Sequence, residues 1–275
     1  MREVDEALAR AYSQPDKGEP ARGVPPAPHW PAHASARPPA QGSRLVDGHS
    51  SAPALAFGIE TPSAGPVAEL QWPAVVLGLE RDWGDRFDRL AERLIEGRRR
   101  QNLRVILFTS CHRAEGRTTL VLTLARALAR HPCRTVLVDA DLAGPMLARL
   151  LGLRPEVGLD DVVEGGHALP DALIDAPDDH LTILPIRSAV ALPRDFLALP
   201  AWSVTLARLR REFDLIVLDG GPLFTGLGAA VLHRSVDAAV LVYHRELTGE
   251  RALLRAREVL EGGGVPLLGS AETFA

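Results

Sequence analysis

Tyrosine and cysteine are scarce in this chain, at two residues each. Tyr12 and Tyr243 are far apart, so no tyrosine cluster exists anywhere in the sequence. Cys111 and Cys133 form no disulfide framework and lack metal-ligand spacing. No apolar run reaches the roughly 18 residues a membrane-spanning helix needs. The opening MREVDEALAR has no signal-peptide apolar core, so a cytoplasmic location is expected. The net charge of −4 gives no basic balance, and no nucleic-acid partner is expected. Apolar residues make up 46% of the 275 positions, enough for a substantial core and one α/β domain plus an extension.

The extension comes first. Within residues 1–14, Val4, Leu8 and Tyr12 share one helical stripe. The segment reads either as a frayed terminus or as a short docking helix captured by a partner, since an isolated helix this short is marginal in water. Residues 15–75 are Pro/Ala-rich, and twelve of the 22 prolines precede residue 75. Such a stretch cannot bury enough apolar surface to offset its ordering entropy, so it is expected to be a disordered, flexible linker. Trp30 and Trp72 are isolated aromatics within it. Residues 76–275 then carry alternating elements.

A charged helix is expected over 80–100, with Trp83, Phe87, Leu90 and Leu94 on one face and Arg98-Arg99-Arg100 in its last turn. Next, LRVILFTSCHRAEGRTT reads as a buried strand, a short polar turn and the start of a helix over about 118–130. Strand, loop, helix is the P-loop arrangement, in which backbone N–H groups and a helix N-terminus hold a polyphosphate. The loop residues Arg113, Ala114, Glu115, Gly116, Arg117, Thr118 and Thr119 are the candidate nucleotide-binding set. RTVLVDADLAGP gives a second buried strand ending in Asp139 and Asp141. Short helices are expected after Pro145 and within 158–175, a third strand over 181–185, and a helix over 198–211. FDLIVLDGGP ends a fourth strand at Asp219, the Walker B candidate. A helix over 225–232, a strand over 238–243, a helix over 247–262 and an edge strand over 265–268 complete the order. Strands that are apolar on both faces and alternate with helices imply a mostly parallel sheet with helices on both sides. Thr118 and Asp219 are candidate Mg²⁺ ligands; of Asp139 and Asp141, one could orient the nucleophile and the other serve the metal shell, and Arg117 stands where a lysine would touch the phosphates.

FTSCHRAEGRTT, VLVDADLAGP and FDLIVLDGGP, taken in that order, resemble the bacterial tyrosine kinases of capsular and exopolysaccharide synthesis, in the MinD/ParA-like branch of P-loop ATPases. The resemblance covers about residues 80–270. It implies that Asp139 activates an attacking hydroxyl, that Asp141 and Asp219 support Mg²⁺ and that Thr118 ligates it. It further implies ATP as ligand, a membrane polysaccharide co-polymerase or its cytoplasmic tail as partner, recruitment to the inner membrane face, and homo-oligomers.

The departures from the family pattern are specific. Arg117 replaces the phosphate-binding lysine, and Ala114 replaces a glycine. Ala143 stands for an arginine, Ser270 for a base-contacting asparagine, and Asp85, Asp88 and Ala91 for the Glu-x-x-Arg-x-x-Arg oligomerisation motif. The tyrosine-rich tail is missing. Three readings stay open: an ATP-binding, tyrosine-kinase-like protein; a non-catalytic nucleotide-sensing subunit of a polysaccharide co-polymerase; and a ParA/MinD-like positioning ATPase. Against the last, His112 falls where that group has its signature lysine.

Overall fold

The computed structural model describes residues 65–224 and 235–273. The expected docking helix, most of the linker and the 225–232 helix lie outside the described residues.

Seven strands form one sheet in the order β3-β4-β2-β5-β1-β6-β7. They are β1 (Val105–Ser110), β2 (Thr135–Ala140), β3 (Ile174–Ala176), β4 (Leu181–Leu184), β5 (Leu215–Pro222), β6 (Ala238–His244) and β7 (Leu267–Thr273). All neighbours pair in parallel except β3 with β4. The side-chain period of two explains the layering. Ile106, Phe108, Leu137, Val217, Val240 and Val242 face one core. Val105, Leu107, Val136, Val138, Leu218 and Leu241 face a second core on the opposite side. Both faces are covered, so the strands read as continuous apolar runs.

The first core is closed by α1 (Ala74–Gln101) and α2 (Arg117–Ala129). Helix α1 starts six residues earlier than its charged stretch suggests, because Pro73 precedes it and Val76 finds a fully buried site. Phe87, Leu90, Ala91, Leu94 and Ile95 form its buried stripe, and Trp83 packs at its margin. It ends at Asn102, whose φ of 56° and N–H to Gly97 O make a left-handed cap. Arg98 in its last turn meets Asp214 at 2.7 Å. Glu80 of α1 accepts from Arg126 of α2 at 2.6 Å, which fixes the crossing of the two helices.

Two elements differ from the sequence reading. The stretch 158–175 holds two short helices, Leu159–Glu164 and Leu169–Ala172, and then turns into β3. The expected 198–211 helix is present as Pro200–Glu212, and a further short helix, Pro193–Ala198, precedes it, with Pro200 starting the second because it cannot continue the first. Residues 67–72, within the expected 15–75 linker, meet the domain. Val67 bridges Asp175, Gln71 N–H donates to Leu151 O at 3.0 Å, and Trp72 Nε1 donates to Asp179 at 2.8 Å. Arg126 stacks over the Trp72 ring at 4.7 Å, so this aromatic anchors the chain to the domain.

Candidate functional site

The sheet's strand order places β1 between β5 and β6, with β2 beyond β5, so both crossovers leave a crevice at the C-terminal ends of β1, β2 and β5. Open α/β sheets bind ligands there. The loop after β1 lies in that crevice, and α2 begins from it.

The loop is held from outside. Buried Glu115 accepts from His112 N–H at 2.9 Å and from the Thr248 hydroxyl, and Thr273 Oγ1 donates to Glu115 O at 2.7 Å. Gly116 takes φ 77°, and a Cβ there would press on the Thr273 side chain at 3.1 Å. Ala114 takes φ 62°, the left-handed conformation that glycine adopts more readily. The loop thus keeps its shape despite the alanine. Among the described residues, the N–H groups of Ala114, Gly116, Arg117 and Thr118 have no hydrogen-bond acceptor. They form a row of open donors at the N-terminus of a 13-residue helix. That half of the site fits a polyphosphate.

The other half is made of carboxylates. Asp139 and Asp219 sit opposite each other on β2 and β5. Asp139 accepts N–H bonds from Asp141 at 3.2 Å, Met146 at 3.0 Å and Leu147 at 3.0 Å. It therefore pins the turn that leads into the short helix Leu147–Leu150. Burial and then the charge of Asp219 push its pKa up to about 7, against the pull of those three bonds.

Arg117 does not lie along the open donor row. Its Nε donates to Asp219 at 2.8 Å, one terminal nitrogen donates to Asp141 at 3.1 Å, and the other donates to Ser110 Oγ at 3.0 Å. Side-chain exposure is 9% for Arg117, 5% for Asp141 and 2% for Asp219. Burial opposes the guanidinium charge, but Asp219 and Asp141 hold its pKa above the ordinary value. Burial also raises the Asp219 pKa, while Arg117 and the Thr118 hydroxyl bond to it and draw it back. Arg113 adds a second cation on Asp141, at 3.1 Å and 3.3 Å, and its guanidinium lies against Gly144, where a Cβ would meet it at 2.5 Å.

Thr118 and Asp219 are hard oxygen donors of the kind Mg²⁺ prefers. With Arg117 bonded to both Asp219 and Asp141, however, these carboxylates do not fit a Mg²⁺ as they stand. No group of three His, Cys, Asp or Glu side chains suited to a metal ion occurs among the described residues.

Thr119 lies on the first turn of α2 and faces an apolar cavity of about 210 Å³, lined also by Leu79, Trp83, Phe87 and Thr273. Ser270 is buried within β7, opposite Leu241, so it does not stand beyond the last strand; Thr273 ends that strand instead. His112 is exposed, its ring 5.5 Å from Phe224. Cys111 is a buried filler with its thiol pushed up to about 12 by burial. Ser110, Thr248 and Thr273 are site residues the sequence did not reveal, because isolated hydroxyls carry no spacing signal.

No family model matches the chain. The tyrosine-protein kinase CpsD of Streptococcus pneumoniae is 28% identical over 168 residues, covering 61% of this chain and 74% of that protein. The solved kinase domain of VpsO superposes with a TM-score of 0.63 at 25% identity, covering 72% of this chain and 98% of that one. The chain is similar in sequence and fold to bacterial tyrosine-protein kinases. The MinD protein of Pyrococcus horikoshii complexed with Mg-ADP aligns with a TM-score of 0.51 at 25% identity, over 61% of this chain and 68% of that one. The chain thus has the MinD/ParA-like P-loop fold. No described helix is long and apolar enough to cross a membrane.

Proposed function

We propose that this chain binds ATP and acts in capsule or exopolysaccharide synthesis, as a relative of the tyrosine kinases of that process. One observation carries the reading: the row of open N–H groups at Ala114, Gly116, Arg117 and Thr118, held in place at the start of α2. The triphosphate would lie on these groups. Thr119 and the neighbouring apolar cavity are available for the rest of the nucleotide. The partner would be a membrane polysaccharide co-polymerase or its cytoplasmic tail, which would recruit the chain to the inner membrane face. Residues 1–14, on their tether, would supply the docking helix.

A second reading is favoured by Arg117. A guanidinium on Asp141 and Asp219 suits a subunit that senses nucleotide without transferring phosphate. Under either reading the nucleotide site is the same. Calorimetric titration of ATP and ADP into the full chain tests it. Saturable binding of one nucleotide per chain is expected. The absence of any binding heat, together with no thermal shift at saturating nucleotide, would refute it.

A further inference from the structure

We propose that Arg117 takes the place of the divalent metal in this site, so that the chain binds its nucleotide without Mg²⁺. The inference rests on the nucleotide-site reading above. In a P-loop the metal neutralises two charges at once, those of the phosphates and those of the acidic strand ends. Here the acidic strand ends are neutralised from within. The Arg117 guanidinium meets Asp219 and Asp141 together, and its third nitrogen is seated on Ser110. Arg113 covers the remaining charge on Asp141.

The geometry gives a guanidinium an advantage over an ammonium. A guanidinium has five N–H donors in a planar fork, whereas an ammonium is a compact point charge. Three donors are taken by Asp219, Asp141 and Ser110, which leaves two. Arg117 is also the first residue of α2, and its own backbone N–H belongs to the open row. One residue thereby reaches both the carboxylates and the phosphate side of the crevice. A divalent ion would have to break the bonds to Asp219 and Asp141 to coordinate either. That would leave a buried guanidinium without its partners, which is strongly unfavourable. Nucleotide arriving without metal breaks none of these bonds and adds phosphate oxygens to the donors that are free.

The test compares ATP affinity of the wild-type full chain in Mg²⁺ and in EDTA, by calorimetry. Affinities equal within a factor well below about ten are expected, since a metal contact of ordinary strength would exceed that. The same comparison on Arg117→Lys should restore metal dependence, with binding in EDTA weaker by about tenfold or more, because the ammonium releases part of the carboxylate pair. Wild-type binding that is lost in EDTA would overturn the inference while leaving the nucleotide site standing. No binding in either buffer would remove both. The wild-type comparison decides the matter even if Arg117→Lys does not fold.

Discussion

The Nε of Arg117 lies 2.8 Å from a carboxylate oxygen of Asp219, and the two side chains are 9% and 2% exposed. An ion pair so far from water is stable only as a pair. Removing one member leaves the other charged, buried and unpartnered.

Arg117→Ala strands Asp219 and half of Asp141. The variant should lose roughly 3–5 kcal/mol of unfolding free energy, as for other buried pairs broken on one side. Arg117→Lys keeps the charge and should lose less. Urea or guanidinium unfolding of both variants beside the wild type checks the order. Equal stability of wild type and Arg117→Ala would show that the pair has no structural role.

Asp139 gives the pH dependence. Its folded pKa is raised from 3.8 to about 7, chiefly by burial. The folded state then binds the proton more tightly than the unfolded state between about pH 4 and pH 7, so stability falls as pH rises through that window. A tenfold difference in proton affinity between the two states is worth about 1.4 kcal/mol, so the full window is on the order of 4 kcal/mol at most. Asp161, Asp214 and Asp237, whose pKa values are lowered, act in the opposite sense and lose their contribution at more acid pH. Melting temperatures should therefore rise from about pH 8 down toward about pH 5 and fall below about pH 4. Asp139→Asn should flatten the upper part of this profile, at the expense of some absolute stability.

Ala114 holds a left-handed φ of 62°. That conformation costs a non-glycine residue about 1–2 kcal/mol, and glycine adds about 0.4–1 kcal/mol of unfolded-state entropy in return. Ala114→Gly should thus stabilise the chain by a few tenths to about 1 kcal/mol. Ala114→Val, with a branched side chain in the same conformation, should destabilise it. Chemical denaturation of the pair reads the difference.

Thr273 joins the end of the chain's last strand to the loop. Its Oγ1 lies 2.7 Å from Glu115 O and 3.1 Å from Tyr243 O, and its side chain backs Gly116. Thr273→Val preserves the shape and removes the hydroxyl. A loss of about 1 kcal/mol in stability is expected, the usual worth of one such bond. Nucleotide affinity should weaken as well, because the loop is less firmly held. An unchanged affinity would mean that the loop is shaped by Glu115 and Thr248 alone.

These residues mark how far the sequence could be read. The strands that carry the site were legible because both of their faces are buried, which leaves long apolar runs ending at Asp139 and Asp219. Strand β3 was not legible. Three residues with one exposed aspartate in the middle carry too little pattern, and their pairing with β4 is set by distant residues. The loop after β1 was legible by its order in the chain and by Gly116. The partners of Arg117 were not, since a guanidinium after a phosphate loop is compatible with contacts to phosphate or to carboxylates. Its burial between β1, β2 and β5 decides for the carboxylates. Asp139 reads in the sequence as a group facing the crevice, but three backbone N–H groups engage it. Trp72 reads as a stray aromatic in a linker because Arg126 and Asp179 are distant in sequence.

The nucleotide binding proposed for this chain would rest on the row of open N–H groups, and amide NMR shifts of the full chain on adding ATP test it most directly. The largest changes are predicted at Ala114, Gly116, Arg117 and Thr118, whose N–H groups would take the phosphates. A saturating addition of ATP that leaves these four resonances in place would contradict phosphate binding at this loop.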